Sequence, residues 1–234
     1  MNRFVSDLGL LLHGSYADLF IQGVITTVEL TVLSWLLAMG LALLLVMIRL
    51  THARLPSRLV MGYVSYHRNV PTLVQLMLWY FGVASLLPES AQMWLANFNT
   101  EFLFTVIALG LCQAAYFCED IRSGLRAIPN GQQEAAHALG MNYLRTMHNI
   151  ILPQAIRHAL PSLINHTVLL FKNTSLAMSI GVIELTYAAR EVDNETFLTF
   201  QSYLVATVAY LASALLLMGI GALLAQHFDK IYAR

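Results

Sequence analysis

Glu29, Arg68, Glu119, Asp120 and Lys172 stand inside otherwise apolar stretches of this chain. A charge carried into hydrocarbon costs about 3 kcal/mol on insertion scales, so each such residue invites a functional reading. Lys172 opens four consecutive polar residues in "FKNTS", with Asn173, Thr174 and Ser175. Four successive side chains point around a helix, so at least one must face a protein interior or a cavity. The chemistry available there is contact with a substrate or a gate, or hydrogen bonding between helices. Glu29, in "TTVELTVLSW", would meet a substrate amine, pair with Lys172, or sit near the outer surface where it costs little. Thr26, Thr27 and Thr31 beside it form a polar face, or bond back harmlessly to their own helix. Arg68 and the pair Glu119 and Asp120 fall near the inner ends of their stretches. An arginine to carboxylate bridge there would hold that side shut. Arg122, three positions after Glu119, is a competing partner, and snorkelling to the interface is the alternative for all of them.

Other reactive constellations are missing from the sequence. His137 and His148 are separated by eleven positions and the Gly140 break, and His148 and His158 straddle Pro153, so no H-x3-H ligand spacing exists. Cys112 and Cys118, six positions apart on one apolar helix, point in different directions and read as packing residues. No G-x-x-x-x-G-K-[ST] loop is present to cradle phosphates. The chain is therefore expected to bind no metal and no cofactor of its own, and not to be an enzyme.

The elements that must position these residues follow from composition. Of 234 residues 58% are hydrophobic and 11% charged, with a mean hydropathy of +0.64, which places the chain in a bilayer. Basic and acidic residues balance at 13 each, so no global field draws in nucleic acid. A hydrocarbon core of roughly 30 Å needs about 20 apolar residues of helix. Stretches near 19–48, 59–87, 102–121, 160–185 and 203–225 satisfy that. The expected architecture is an all-α bundle of five transmembrane helices. "RLTHARLPSR" carries Arg49, Arg54 and Arg58 with no acid, whereas "PESAQMWLANFNTE" carries Glu89 and Glu101 with no base. The first connection is then cytoplasmic. The third connection carries Arg122, Arg126, Arg145 and Arg157, the fourth sets Arg190 against Glu191, Asp193 and Glu195, and the tail carries Lys230 and Arg234. The N-terminus is expected outside and the C-terminus in the cytoplasm. Residues 1–18 read as an outer leader, 19–226 as one membrane domain and 227–234 as a cytoplasmic tail. Although Arg3 precedes an apolar run, His13 and Gly14 interrupt it before it could serve as a cleaved signal, so the first span is expected to act as its own targeting signal.

Residues 122–160 form the one sizeable cytoplasmic element. "IPNG" reads as a turn with Asn130 as N-cap, "QQEAAHAL" as a short helix, and Gly140 as its left-handed stop. Asn142 is placed to cap a second helix, and Pro153 and Pro161 are expected to break or bend the chain as it re-enters the membrane. Ala135, Ala136 and Ala138 gain little by packing on their own domain; small side chains do let a backbone come close to a groove supplied by another protein.

In this interval Glu134, Ala135 and Ala136, then three residues and Gly140, then nine residues and Ile150, Leu152 and Pro153, resemble in full the cytoplasmic loop motif of membrane subunits of ATP-binding-cassette importers. The likeness runs from about Leu19 to Ala225 and is nearest to permeases of the polar amino acid branch, which takes up histidine, glutamine, glutamate and aspartate. "HRNVPTLVQLMLWYFG", with Arg68, Pro71 and Gln75, resembles that branch's second span; "FKNTSLAMSIGVIEL" resembles its fourth.

The resemblance implies the type I importer permease fold. It implies that the stretch from Gln132 through Gln133 and Glu134 to Gly140 docks in a cleft of a cytoplasmic ATPase dimer, and that the ATPase alone holds ATP and Mg. It implies a second permease subunit, identical or paralogous, an external solute-binding protein, and a translocation path lined by the fourth span. In such systems the binding protein largely sets selectivity. The "RNVPTLVQ" wording and Lys172 lean toward glutamate or aspartate, while Glu29 leans toward a cationic or zwitterionic amino acid. The alternative is a proton-coupled secondary transporter with Glu29 or Glu119 as carrier, which five spans without an internal repeat fit poorly.

Overall fold

The computed structural model describes residues 2–51 and 53–232. The side chains of Arg3 and Lys230, and Arg234 as a whole, lie outside what it describes. Ten helices follow one another among the described residues: α1 (Asn2–Leu11), α2 (Gly14–Leu50), α3 (Arg54–Asn69), α4 (Thr72–Leu86), α5 (Glu89–Leu95), α6 (Thr100–Arg126), α7 (Asn130–Ala138), α8 (Tyr143–Ile180), α9 (Leu185–Thr196) and α10 (Thr199–Tyr232). α2, α6 and α10 are each long and apolar enough to cross a membrane, and five spans result if the bent pairs α3 with α4 and α8 with α9 each count as one. The long helix α2 begins at Gly14, several residues before the expected start at Leu19.

The second span is not the single rod expected over 59–87. α3 and α4 meet at 109°. Val70 is extended, at φ −94° and ψ 132°, as the ring of Pro71 requires of the residue before it. Gln75, expected along the substrate path, closes this break instead: its side-chain amide donates to the carbonyls of His67 (3.0 Å) and Val70 (2.8 Å) and is fully buried. The carbonyls that the break strips of helical partners are satisfied by one side chain.

The fourth span also departs from expectation. Pro153 and Pro161 do not interrupt α8, which runs from Tyr143 to Ile180. The turn Met147–Ile151 widens to π geometry just before Pro153, so the missing proline N–H falls at a register change. There the Gln154 side chain donates to the Ile150 carbonyl at 2.9 Å. Asn173 and Thr174, expected about half-way along a uniform helix, mark the point where α8 tightens to 3-10 geometry over Thr174–Ile180. The charged fourth connection is largely the helix α9.

α6 is the most enclosed span, packed between α2 and α8. Ala38 and Ala42 of α2 face Ala114, Ala115 and Cys118 of α6, all buried. Small side chains let the backbones approach closely, the usual source of helix association where solvent is as apolar as the protein. Cys112 and Cys118 are both free and buried, in keeping with a packing role. At the last turn of α6, a Cβ on Gly124 would strike the Ala155 carbonyl oxygen and would lie 2.9 Å from the Ala159 side chain. Only glycine admits α8 so near.

Candidate functional site

α7 connects α6 to α8 and is built to stop sharply. Pro129, not Asn130, occupies the N-cap: Pro129 is extended and Asn130 is already the first helical residue, with no side-chain cap. The ring of Pro129 keeps Ile128 out of the helical region, so the helix starts no earlier than Pro129. At the other end Gly140 takes φ +75°. The Met141 N–H donates to the Ala136 carbonyl at 3.0 Å and the Gly140 N–H to the His137 carbonyl at 2.9 Å, the paired bonds of a Schellman motif. Asn142 then caps α8 as expected, its side chain accepting from the Arg145 N–H at 2.9 Å.

α7 uses little of its surface on its own chain. Gln133, Glu134 and Ala135 are exposed, whereas Ala136 turns inward and is 1% exposed. Leu139 is 81% exposed and Leu144 75%. The chain itself covers neither leucine. Leu152 is exposed and Pro153 half-buried. Pro153 helps line a cleft of about 650 Å³ between α7 and α8, along with Gln132, Ile150, Gln154 and Arg157.

A charged belt lies on α6. Glu119 is held by two guanidiniums: Arg49, from the last turn of α2, at 2.6 Å, and Arg122 of α6 itself. Asp120 meets His166 of α8 at 2.6 Å. The bridge expected between Arg68 and one of these carboxylates is absent. Arg68 ends α3 just before the Pro71 break, which leaves its guanidinium over the ring of Tyr116, 5.6 Å from the centroid. Arg68 nevertheless shares a cleft of about 440 Å³ with Arg49 and Glu119.

The remaining residues separate. Glu29 and Lys172 are exposed and have no hydrogen-bond or ion-pair partner among the described residues, so they do not pair with each other. Thr174 is buried and donates to the Phe171 carbonyl at 2.6 Å, and Ser175 donates to the Lys172 carbonyl at 2.8 Å; Asn173 is half-buried. Two of the four polar groups in "FKNTS" are thus satisfied by their own helix. No group of three or more His, Cys, Asp or Glu that could hold a metal occurs among the described residues.

Three contributors were missed in the sequence. Arg49 was weighed only for orientation, although its place one helix away from Glu119 is a tertiary fact. His166, in "LINHTVLL", is an intramembrane ionisable residue that the rule applied to Lys172 finds equally well. Glu184 is fully buried and caps α9, accepting from the N–H groups of Thr186 (2.8 Å) and Tyr187 (2.9 Å) and from the Tyr210 hydroxyl (2.6 Å). A carboxylate ahead of "LTYAAREV" carries that N-cap signal.

Comparison with known proteins supplies an independent frame. Residues 36–230 match the family described as binding-protein-dependent transport system inner membrane component. The chain is 35% identical to the nopaline transport system permease protein of Agrobacterium fabrum, over 80% of its own length and 78% of the relative's. It is 31% identical to the glutamate/aspartate import permease protein of Escherichia coli, over 81% and 78%, and 31% identical to the arginine transport system permease protein of Bacillus subtilis, over 86% and 88%. Among solved structures, an amino acid ABC transporter crystallised with histidines superposes with a TM-score of 0.80 at 29% identity, covering 91% of this chain and 95% of that one. The methionine transporter MetNI in an inward-facing form gives 0.71 at 16% identity, over 92% and 99%, a likeness of fold alone.

Proposed function

Because this chain belongs to the family of binding-protein-dependent transport system inner membrane components, and is a multi-pass permease subunit of an amino acid importer of the ATP-binding-cassette class, we propose that α7 is the joint through which a separate ATPase drives it. The observation that carries this reading is the exposure of Gln133, Glu134 and Ala135 on a helix fixed at its end by Gly140. Two ATPase copies would hold ATP and Mg, and their closure on ATP would press on α7. Gly124 locks the end of α6 against α8, so a displacement of α7 reaches both spans together. Only a difference in ATP affinity between the inward-facing and outward-facing states drives the switch.

The partners follow from the family: a second permease subunit, identical or paralogous, and an external binding protein that delivers the substrate. The N-terminus lies outside and the C-terminus in the cytoplasm, on the distribution of arginines. Residues 1–18 then form the outer leader, 19–226 the permease domain and 227–234 the tail. The substrate is a polar amino acid. Glutamate or aspartate is favoured by Lys172, whose ammonium has no partner among the described residues; Glu29, equally unpartnered there, favours a cationic amino acid and is the basis of a second reading. A proton-carrier role suits Glu119 poorly, since its carboxylate is already engaged by two guanidiniums.

ATPase activity of the complete complex in liposomes, with binding protein and a panel of amino acids, tests the proposal. Stimulation by one amino acid class supports coupling and names the substrate. Uptake that persists without the ATPase would replace this reading with the proton-coupled one.

A further inference from the structure

A second basic cleft, of about 560 Å³, opens where the last turns of α2 and α6 meet the first turns of α3 and α7. Its donors are the guanidiniums of Arg49, Arg122 and Arg126, with the Ser57 hydroxyl and the Asn130 amide beside them. No acidic side chain lines it among the described residues. Arg49 and Arg122 share the single charge of Glu119 from the far side, which leaves the cleft a net surplus of positive charge. Arg126 is exposed and has no partner among the described residues.

The rest of the wall is apolar, formed by Val46, Leu50, Leu125 and Ile128. A free inorganic anion needs the donors and gains nothing from that wall. An anion joined to hydrocarbon uses both. The cleft also sits at the ends of α2 and α6, two helices long and apolar enough to cross a membrane, and the end of such a helix is where anionic head groups attract arginine. We propose that it binds the phosphate of an anionic phospholipid, with the guanidiniums on the phosphate oxygens and the first carbons of the lipid against the apolar wall. Arginine suits that task, because its planar fork meets two phosphate oxygens at once. A lipid held there touches α2, α6 and Asn130, the first residue of α7, and so bears directly on the joint. The proposal rests on the cleft and not on the substrate or orientation proposed above.

Native mass spectrometry of the purified chain in neutral detergent tests it, with phosphatidylglycerol, phosphatidylcholine and inorganic phosphate as separate probes. Phosphatidylglycerol is expected to add one tightly held molecule per chain that phosphatidylcholine and inorganic phosphate do not displace. Arg126→Gln is expected to weaken that molecule about fivefold, the worth of one interfacial arginine. Arg54→Gln, an exposed arginine outside the cleft, is expected to leave it unchanged. Equal weakening by both substitutions would mean diffuse surface attraction and overturn the site. Displacement by inorganic phosphate would overturn the lipid assignment, and indifference to Arg126→Gln would overturn the cleft.

Discussion

α7 and α9 are short helices at the two ends of α8, yet they spend their surfaces in opposite ways. α9 buries Leu185, Ala188, Ala189 and Val192 against Leu11, Phe20 and Ala206, and its first turn is tied to α10 through Glu184 and Tyr210. α7 buries only Ala136 and leaves Leu139 almost bare. A helix stabilised by its own chain is part of the scaffold. One that keeps its surface uncovered while its end is fixed by a Schellman motif leaves that surface to a partner, which is the ground for the joint proposed at α7.

Substitutions in the two helices should therefore fail in different ways. The largest effect is expected from Gly140→Asp. A side chain at φ +75° is strained and its charge opposes the helix C-terminus. Uptake should fall to background while the amount of chain in the membrane stays the same, as read by uptake and immunoblot on one preparation; normal uptake would break the comparison. Gly124→Val should follow, because a Cβ there meets the Ala155 carbonyl. Overpacking of that kind costs roughly 1–3 kcal/mol, and thermal unfolding of the purified chain should show it together with lost coupling.

Glu184→Ala acts on the scaffold alone. It orphans two backbone N–H groups and leaves the Tyr210 hydroxyl only its bond to the Thr186 hydroxyl, and roughly 2 kcal/mol of stability should be lost. Transport per ATP hydrolysed by the surviving complexes should be unchanged, and a shift in that ratio would make α9 part of the joint. The smallest stability effect belongs to Leu139→Ser. An exposed site of this kind changes stability by less than about 0.5 kcal/mol, so its melting point should hold while ATP-driven uptake drops severalfold. A variant that melts early and transports normally would reverse the roles assigned to the two helices.

Much of this arrangement is legible before folding. The apolar stretches, the Gly140 stop, the Asn142 cap and the loop motif are local signals, and local signals survive in a sequence. The break at Val70 was legible too, since residues before proline leave the helical region, but an apolar stretch long enough to span masks it. What composition hides is partnership. Arg68 and Arg49 are equally good candidates for Glu119 until α3 is seen to turn away at Pro71. Glu29 and Lys172 look like a pair because each needs one, yet neither finds the other within the chain. Glu184 was overlooked because it closes an apolar run, where a buried cap and a span boundary look alike.

The most direct test of the central claim is cross-linking of an Ala135→Cys chain to its ATPase in the reconstituted complex. Both native cysteines are buried, so the new thiol is the accessible one. The account predicts a cross-link to the ATPase whose yield changes between nucleotide-free and ATP-bound complexes. An assembled complex that gives no cross-link from position 135 in either state would contradict it.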